Sequence, residues 1–111
     1  MAGYVFYNGF WNPDGPPEVV RSLTAAAAAR GAKWVPLPNT AVTAEFTGER
    51  RERALRVPPL QAGDYALFWD KDVRLARALE AMGVRLYNTA AAVAVCDDKA
   101  ATHLELARRG V

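Results

Sequence analysis

The sequence has very few of the residue types from which catalytic and metal centres are commonly built. Among its 111 residues there is one cysteine, Cys96, and one histidine, His103. A single cysteine excludes an intrachain disulfide and any metal site made of several cysteine ligands. Cysteine usage therefore favours a reducing compartment.

Long apolar segments and the common nucleotide-binding motifs are also missing. No apolar run approaches the roughly 20 residues that a membrane-spanning helix needs, and residues 1–4 lack the basic region of a secretory signal. Neither a GxGxxG motif nor a P-loop is present, so both standard phosphate-binding loops are excluded. We expect a cytoplasmic protein with no membrane partner.

The charges nearly balance, at a formal net charge of +2. The local exception is a group of arginines, Arg50, Arg51, Arg53 and Arg56, interrupted by glutamates. Such a segment is typical of a solvated loop or hairpin edge, and the alternative is a patch for phosphate groups or RNA. Because no aromatic residues are interleaved with the arginines, we do not expect nucleic acid as a partner. The role of this cluster stays open.

Hydrophobic periodicity predicts a single α/β domain. Short β-branched and aromatic runs alternate with segments whose apolar residues recur every three to four positions. The predicted strands are 3–8, 33–38, 64–69 and 84–87, and the predicted helices are 18–30, 72–83, 90–95 and a last one ending at Gly110. This order predicts a Rossmann-like three-layer fold with a mostly parallel four-stranded sheet and right-handed crossovers.

Two strands and one irregular stretch receive more specific predictions. The prolines of 33–38 predict an edge strand, whereas the nearly continuous apolar run 64–69 predicts a central one. Residues 39–63 have the weakest pattern. We expect a helical turn at 40–46 and an arginine-rich hairpin arm at 49–57.

Three polar segments follow predicted strands and should meet at one edge of the sheet. Ligands of open α/β sheets bind outside the carboxyl ends of the strands. Amide and lysine donors there suit a carboxylate, and aromatic side chains offer an apolar wall. The predicted substrate-binding residues are Asn8, Gly9, Phe10, Trp11, Asp70, Lys71 and Asn88.

Each of these three segments also has a purely structural interpretation. Asp70 or Asp72 would serve as a helix cap, as would Asn88 or Thr89, and Lys71 would form a surface ion pair. Phe10 and Trp11 would close the core at the edge of the sheet.

The remaining reactive side chains, Cys96 and His103, are not expected to take part in chemistry. Cys96 lies in an alanine and valine run, which predicts a small buried hydrophobic residue. His103 is expected at the surface without a catalytic role. No carboxylate cluster has enough members for a metal site, so neither catalytic nor metal-ligating residues are predicted in this chain.

The second half of the chain resembles the end of the domain that precedes the nucleotide-binding core in ATP-grasp ligases of the RimK-like type. The resemblance covers residues 64–111: a strand, the charged turn DKD, a helix carrying LARALEAMGV and a strand ending in Asn88. An alanine-rich helix and then Asp98-Lys99 with Thr102 and Leu106 complete the pattern. In the first half, YNGFWN is similar to the opening strand and loop of some bacterial members.

This resemblance implies ATP-dependent, Mg²⁺-assisted condensation of an amino-acid or peptide carboxylate with an amine through an acyl phosphate. In many members a lysine just ahead of the central domain reaches the nucleotide phosphates, and Lys99 is the corresponding candidate for cofactor binding. An ammonium group suits a phosphate as a point charge. The alternative is a solvated lysine that pairs with Asp98 or Glu105.

The family's glycine-rich loop, adenine-binding hinge and metal ligands belong to later domains. Because phosphoryl transfer depends on such groups, we expect residues 1–111 to be a pre-ATP-grasp domain that is inactive alone and binds no ATP or Mg²⁺ alone. Its expected partner is an ATP-grasp catalytic domain. Without that partner, we expect the chain to expose an apolar patch near the last helix or to form a homodimer. The alternative is a stand-alone binding or regulatory module that acts with a separate chain.

Overall fold

The computed structural model describes residues 3–48 and 54–111. The described part contains six strands that form two sheets. In chain order they are β1 (Gly3–Tyr7), β2 (Trp34–Pro38), β3 (Glu45–Thr47), β4 (Ala54–Arg56), β5 (Tyr65–Phe68) and β6 (Arg85–Tyr87).

Four α-helices connect or follow these strands. They are α1 (Glu18–Ala29), α2 (Val73–Met82), α3 (Ala90–Asp97) and α4 (Lys99–Arg108), and a short 3₁₀ turn spans Asn39–Ala41. None of the described helices has the length and apolar character to cross a membrane.

The main sheet has the strand order β2-β1-β5-β6, and all three of its strand pairs are parallel. This arrangement confirms the predicted α/β, Rossmann-like class with a four-stranded sheet. The proline-containing β2 lies at the edge, as predicted, because proline cannot donate a hydrogen bond to a second neighbour. The strands β1 and β5 are central and pair from Gly3 and Tyr65 onward.

Alternate side chains of β1 enter two separate cores, one on each face of the sheet. Phe6 joins the larger cluster with Phe68 and the apolar face of α2, whereas Val5 and Tyr7 pack with Val20 of α1. The alternation follows from the two-residue period of a strand. Helices therefore cover both faces, which gives the predicted three layers.

Several helix ends are set by single residues, as the sequence suggested. The side chain of Asp72 accepts a hydrogen bond from the Leu75 backbone at 3.0 Å and caps α2. Thr89 caps α3 and Asp98 caps α4 in the same way. Gly83, at a φ of 98°, ends α2 in the left-handed conformation that glycine adopts readily.

The stretch between β2 and β5 differs from the expectation. The predicted helical turn at 40–46 is wrong for Glu45 and Phe46, which form β3 and pair antiparallel with β4. A hairpin is present, but one of its strands comes from this earlier segment, because pairing with β4 outweighs the weak local preference. Arg50, Arg51 and Arg53 of the predicted arginine-rich arm lie outside the described residues.

One further expectation about burial is corrected. Cys96 is exposed, not buried, because α3 buries only Ala90 and Val93 and Cys96 lies in its last turn. The last helix does expose apolar side chains, as expected: no residue of α4 is buried, and Leu104 is 71% exposed. His103 is exposed, as predicted.

Candidate functional site

The order of the strands creates a crevice between the carboxyl ends of β1 and β5. The chain leaves β1 for α1 on one face of the sheet and leaves β5 for α2 on the other. Connections that diverge from adjacent parallel strands leave a gap between them, and this is where open α/β folds bind ligands. The segments that begin with Asn8 and Trp69 therefore form opposite sides of one opening.

A cleft of about 610 Å³ occupies this position. It contains five of the seven residues predicted to bind substrate, together with residues that the sequence analysis did not select. Its lining residues are Asn8, Trp11, Asn12, Pro17, Val19, Phe68, Trp69, Asp70, Lys71 and Asn88. The first turn of α1 contributes because it returns beside β1, which no local pattern reveals.

Asn8 connects the two sides of the cleft. Its Nδ2 donates to Oδ1 of Asp70 at 3.1 Å, while its Oδ1 accepts from the Trp11 backbone N–H at 3.0 Å. The backbone oxygen of Asn8 accepts from Asn12 Nδ2 at 2.9 Å. One asparagine thus folds its own loop and ties that loop to the end of β5, using both halves of its amide.

Asp70 is held at the wall of the cleft but is not a helix cap. Besides Asn8, its Oδ1 accepts from the Lys71 backbone N–H at 2.8 Å. Its Oδ2 is shielded from solvent and has no hydrogen-bond partner among the residues that the structure describes. The capping role that was open between Asp70 and Asp72 belongs to Asp72, so Asp70 keeps one unused acceptor.

Lys71 forms an ion pair, although not with either neighbouring aspartate. Its Nζ lies 3.1 Å from Oδ1 of Asp97 at the end of α3, and the lysine side chain is 80% exposed. An exposed pair of this kind contributes about 0–1 kcal/mol. The ammonium group is therefore weakly held and remains accessible from the cleft.

The aromatic residues do not close the core, so that structural interpretation is wrong. Trp11 is 83% and Trp69 is 58% exposed, and both line the cleft. Phe10 is 80% exposed and is not among the lining residues. Trp69 was predicted as the end of a strand; β5 stops at Phe68, and the alternation of buried and partly buried side chains along β5 would have placed Trp69 on the less buried face.

Gly9 also lies away from the cleft and has a packing role. Its backbone N–H donates to Oδ1 of Asn39 at 2.9 Å. A Cβ atom at this position would collide with the side chain of Thr40. The glycine therefore permits close approach of two loops and is not a flexible ligand-binding turn.

Asn88 and Lys99 occupy different surroundings. Asn88 lines the cleft and is not the cap of α3, which is Thr89. The Tyr87–Asn88 peptide bond is cis.

Lys99 is the first residue of α4, is exposed and does not line the cleft. The alternative pairing of Lys99 with Glu105 is not observed, because Glu105 binds Arg108 and Arg109.

The potential metal ligands of the described residues do not form a cluster. Within residues 3–48 and 54–111, no three aspartate, glutamate, histidine or cysteine side chains are grouped closely enough to hold a metal ion. Asp70 is the one carboxylate among the residues that line the cleft, whereas Mg²⁺ bound through protein carboxylates uses one or two of them plus waters and substrate phosphates.

No protein-family model matches the sequence, and no curated protein matches it. The chemistry of the cleft and the sequence pattern of residues 64–111 are therefore the basis for a proposed function.

Proposed function

We propose that this chain is the substrate-side α/β domain of an ATP-dependent carboxylate–amine ligase of the RimK-like type, located in the cytoplasm. Its cleft holds an amino acid or peptide. The observation that carries the proposal is the convergence of Asn8, Trp11, Asp70, Lys71 and Asn88 on one opening at the carboxyl ends of β1 and β5. This is the position at which α/β sheets bind small ligands.

The chemistry of the cleft suits binding and orientation of a zwitterionic substrate. Amide groups of Asn8, Asn12 and Asn88, the ammonium of Lys71 and the carboxylate of Asp70 surround an opening with two exposed indoles. A few polar groups on a mostly apolar lining fix the orientation of a small molecule. Orientation is the contribution that a substrate domain makes to a condensation between two bound reactants.

ATP and Mg²⁺ would be held by the catalytic domain of the ligase. Lys99, exposed at the start of α4, would offer a positive charge to the nucleotide phosphates from outside the cleft. An ATP-grasp domain would provide the phosphate loop and metal ligands that phosphoryl transfer needs.

The test is a titration of the ¹⁵N-labelled chain, followed by NMR, with L-glutamate, L-lysine and the dipeptide L-alanyl-L-alanine, and separately with Mg-ATP. We expect at least one amino compound to shift the backbone amides of Asn8, Trp69, Asp70 and Asn88 in a saturable manner. Mg-ATP alone should leave these amides unchanged, because the common phosphate loops are absent from the sequence.

A variant pair sharpens this titration. Asn8→Ala removes the hydrogen bond to Asp70 that ties the two sides of the cleft together and the one from Trp11 that orders the loop. It should weaken binding at least about tenfold. Thr24→Ala alters a side chain of α1 outside the cleft and should leave binding unchanged. Saturable binding of Mg-ATP to the chain alone, or no response to any amino compound, would overturn the proposed function.

A further inference from the structure

The carboxylate of Asp70 has no positively charged partner among the described residues. Its Oδ1 accepts two hydrogen bonds, from Asn8 Nδ2 and the Lys71 backbone, whereas its Oδ2 is shielded from solvent and accepts none. No ion pair to Asp70 is present in the described chain. Removing a carboxylate oxygen from water without a partner is costly, so this oxygen is suited to a positively charged partner.

The nearest cation along the chain is already paired elsewhere. Lys71 directs its Nζ to Asp97 at 3.1 Å, so its charge is balanced on the far side of the turn. Asp70 is therefore left as the charge of the cleft wall that has no counter-ion. A ligand with a cationic group at this point would supply the counter-ion that Asp70 lacks.

Two aromatic side chains add a second preference for a cation. Trp11 and Trp69 line the same cleft, and more than half of each side chain is exposed. The face of an indole ring attracts an ammonium group within about 6 Å of its centre. Tryptophans that belong to an apolar core have buried rings instead.

We infer that the cleft recognises the ammonium group of its ligand, the free α-amine of an amino acid or the N-terminus of a peptide, through Asp70 flanked by Trp11 and Trp69. This assignment rests on the proposed function and deepens it. The sequence had indicated a carboxylate as the group bound here. Because the terminal torsion of a carboxylate is soft, the Asp70 carboxylate turns to meet the ligand, and its hydrogen bond from Asn8 Nδ2 is exchanged for one from the ligand ammonium. The Oδ1 of Asn8 still accepts from the Trp11 backbone and keeps the loop in place.

The experiment compares three forms of one dipeptide in NMR titrations of the full chain. L-alanyl-L-alanine has both charged ends, its C-terminal amide keeps only the ammonium, and N-acetyl-L-alanyl-L-alanine keeps only the carboxylate. We expect the free dipeptide and its amide to bind with similar affinity and the acetylated form to bind at least tenfold more weakly. Asp70→Asn should remove this difference by weakening the first two ligands at least tenfold.

Two further variants separate direct recognition from general electrostatics and from misfolding. Asp14→Asn removes an equal charge from an exposed loop residue that does not line the cleft and should leave all three affinities unchanged. Lys71→Gln removes a positive charge from the wall of the cleft, where Lys71 pairs with Asp97, and should strengthen binding of the amide form because less positive charge then opposes the ligand ammonium. The ¹⁵N spectra of the variants report whether each remains folded.

The outcomes distinguish this inference from the proposed function. If the acetylated dipeptide binds as tightly as the free one and Asp70→Asn changes neither affinity, the cleft is a substrate site but Asp70 does not recognise the ammonium group. The inference is then wrong. If none of the three dipeptide forms, L-glutamate or L-lysine shifts the cleft amides of a folded chain, the proposed function fails together with the inference.

Discussion

Asn8 shows how much of the cleft depends on a single side chain. Its amide nitrogen donates across the opening to Asp70, and its amide oxygen accepts from Trp11 in its own loop. An aspartate in this place would lose the donor and set a second negative charge against Asp70. Only an amide of this length satisfies both neighbours at once.

Phe6 is the residue whose loss should destabilise the fold most clearly. It is fully buried and packs against Phe68, with ring centroids 5.6 Å apart. We expect Phe6→Ala to lower the free energy of unfolding by about 3–5 kcal/mol, measured by urea denaturation. Phe46→Ala is the matched control, because Phe46 is 73% exposed and its loss should change stability by less than about 0.5 kcal/mol. Equal effects of the two substitutions would contradict the assigned core.

Glu105 provides a prediction about pH. Hydrogen bonds from Arg108 and Arg109 lower the pKa of Glu105 from 4.5 to about 2. Because the pKa is lower in the folded state, the stabilisation is present above pH 4.5 and is lost as the pH falls from there through about 2. Titration of the Glu105 carboxyl carbon by NMR should show this low value.

The arginine partners supply the control for that titration. Replacing both Arg108 and Arg109 with glutamine should return the pKa of Glu105 toward 4.5, and salt should reduce the shift because the arginines are exposed. A wild-type Glu105 that already titrates near 4.5 would show that the ion pairs do not persist in solution.

At the level of elements, the irregular segment between β2 and β5 contributes more to the fold than its composition suggests. After the β3–β4 hairpin, Val57 and Leu60 form an antiparallel bridge and enter the larger core cluster. The segment thus covers part of the same face of the sheet as α2. Val42 and Leu55 of the same segment also pack, partly buried, against this cluster. Prolines and charges obscure this role in the sequence.

The start of α2 directly follows a wall of the cleft, since Asp72 caps the helix immediately after Asp70 and Lys71. We expect Asp72→Ala to lower the free energy of unfolding by about 0.5–2 kcal/mol, because the Leu75 N–H loses its acceptor. Asp72→Asn keeps an acceptor oxygen and should cost much less. Urea denaturation of both variants checks this. Equal losses of stability would mean that the negative charge of Asp72 contributes more than the hydrogen bond that its side chain accepts.

At the scale of the whole molecule, burial decreases from the sheet toward the C-terminal helix. The central strands supply fully buried side chains such as Val5 and Ala66, whereas α4 has none. The Thr102 hydroxyl donates to the Val95 backbone oxygen at 2.5 Å and so connects α4 to α3. It presents apolar side chains of Leu104 and Leu106 to solvent.

Native-state hydrogen exchange should reveal this gradient. We expect amides of α4 to exchange by local opening, with protection at least about tenfold below that of β5, because few buried contacts oppose the opening. Amides of β1 and β5 should exchange only through global unfolding. Equal protection of α4 and β5 in a chain that is monomeric by sedimentation would contradict the packing described, whereas protection that rises with protein concentration would point to self-association through this helix.

The elements were predictable from the sequence because their signals are local. The apolar runs at β1 and β5, the helical stripe of Leu75, Ala76 and Leu79, and the capping residues each act within a few positions of the chain. Placing polar loops at the carboxyl ends of the strands also predicted five of the cleft residues. The exposure of Cys96 and the positions of Gly9 and Phe10 away from the cleft could not be inferred in this way, because they depend on which distant segment lies alongside.

The sequence by itself therefore determined the α/β class, the edge position of the proline-containing strand and the segments that reach one end of the sheet. Tertiary structure alone decided that β3 pairs with β4, that Asn8 meets Asp70 across 62 positions of sequence and that Lys71 pairs with Asp97. The physical reason is range: backbone propensity and hydrophobic periodicity act over one turn or one strand. The partner of a polar side chain is fixed only when separate elements pack and exclude water.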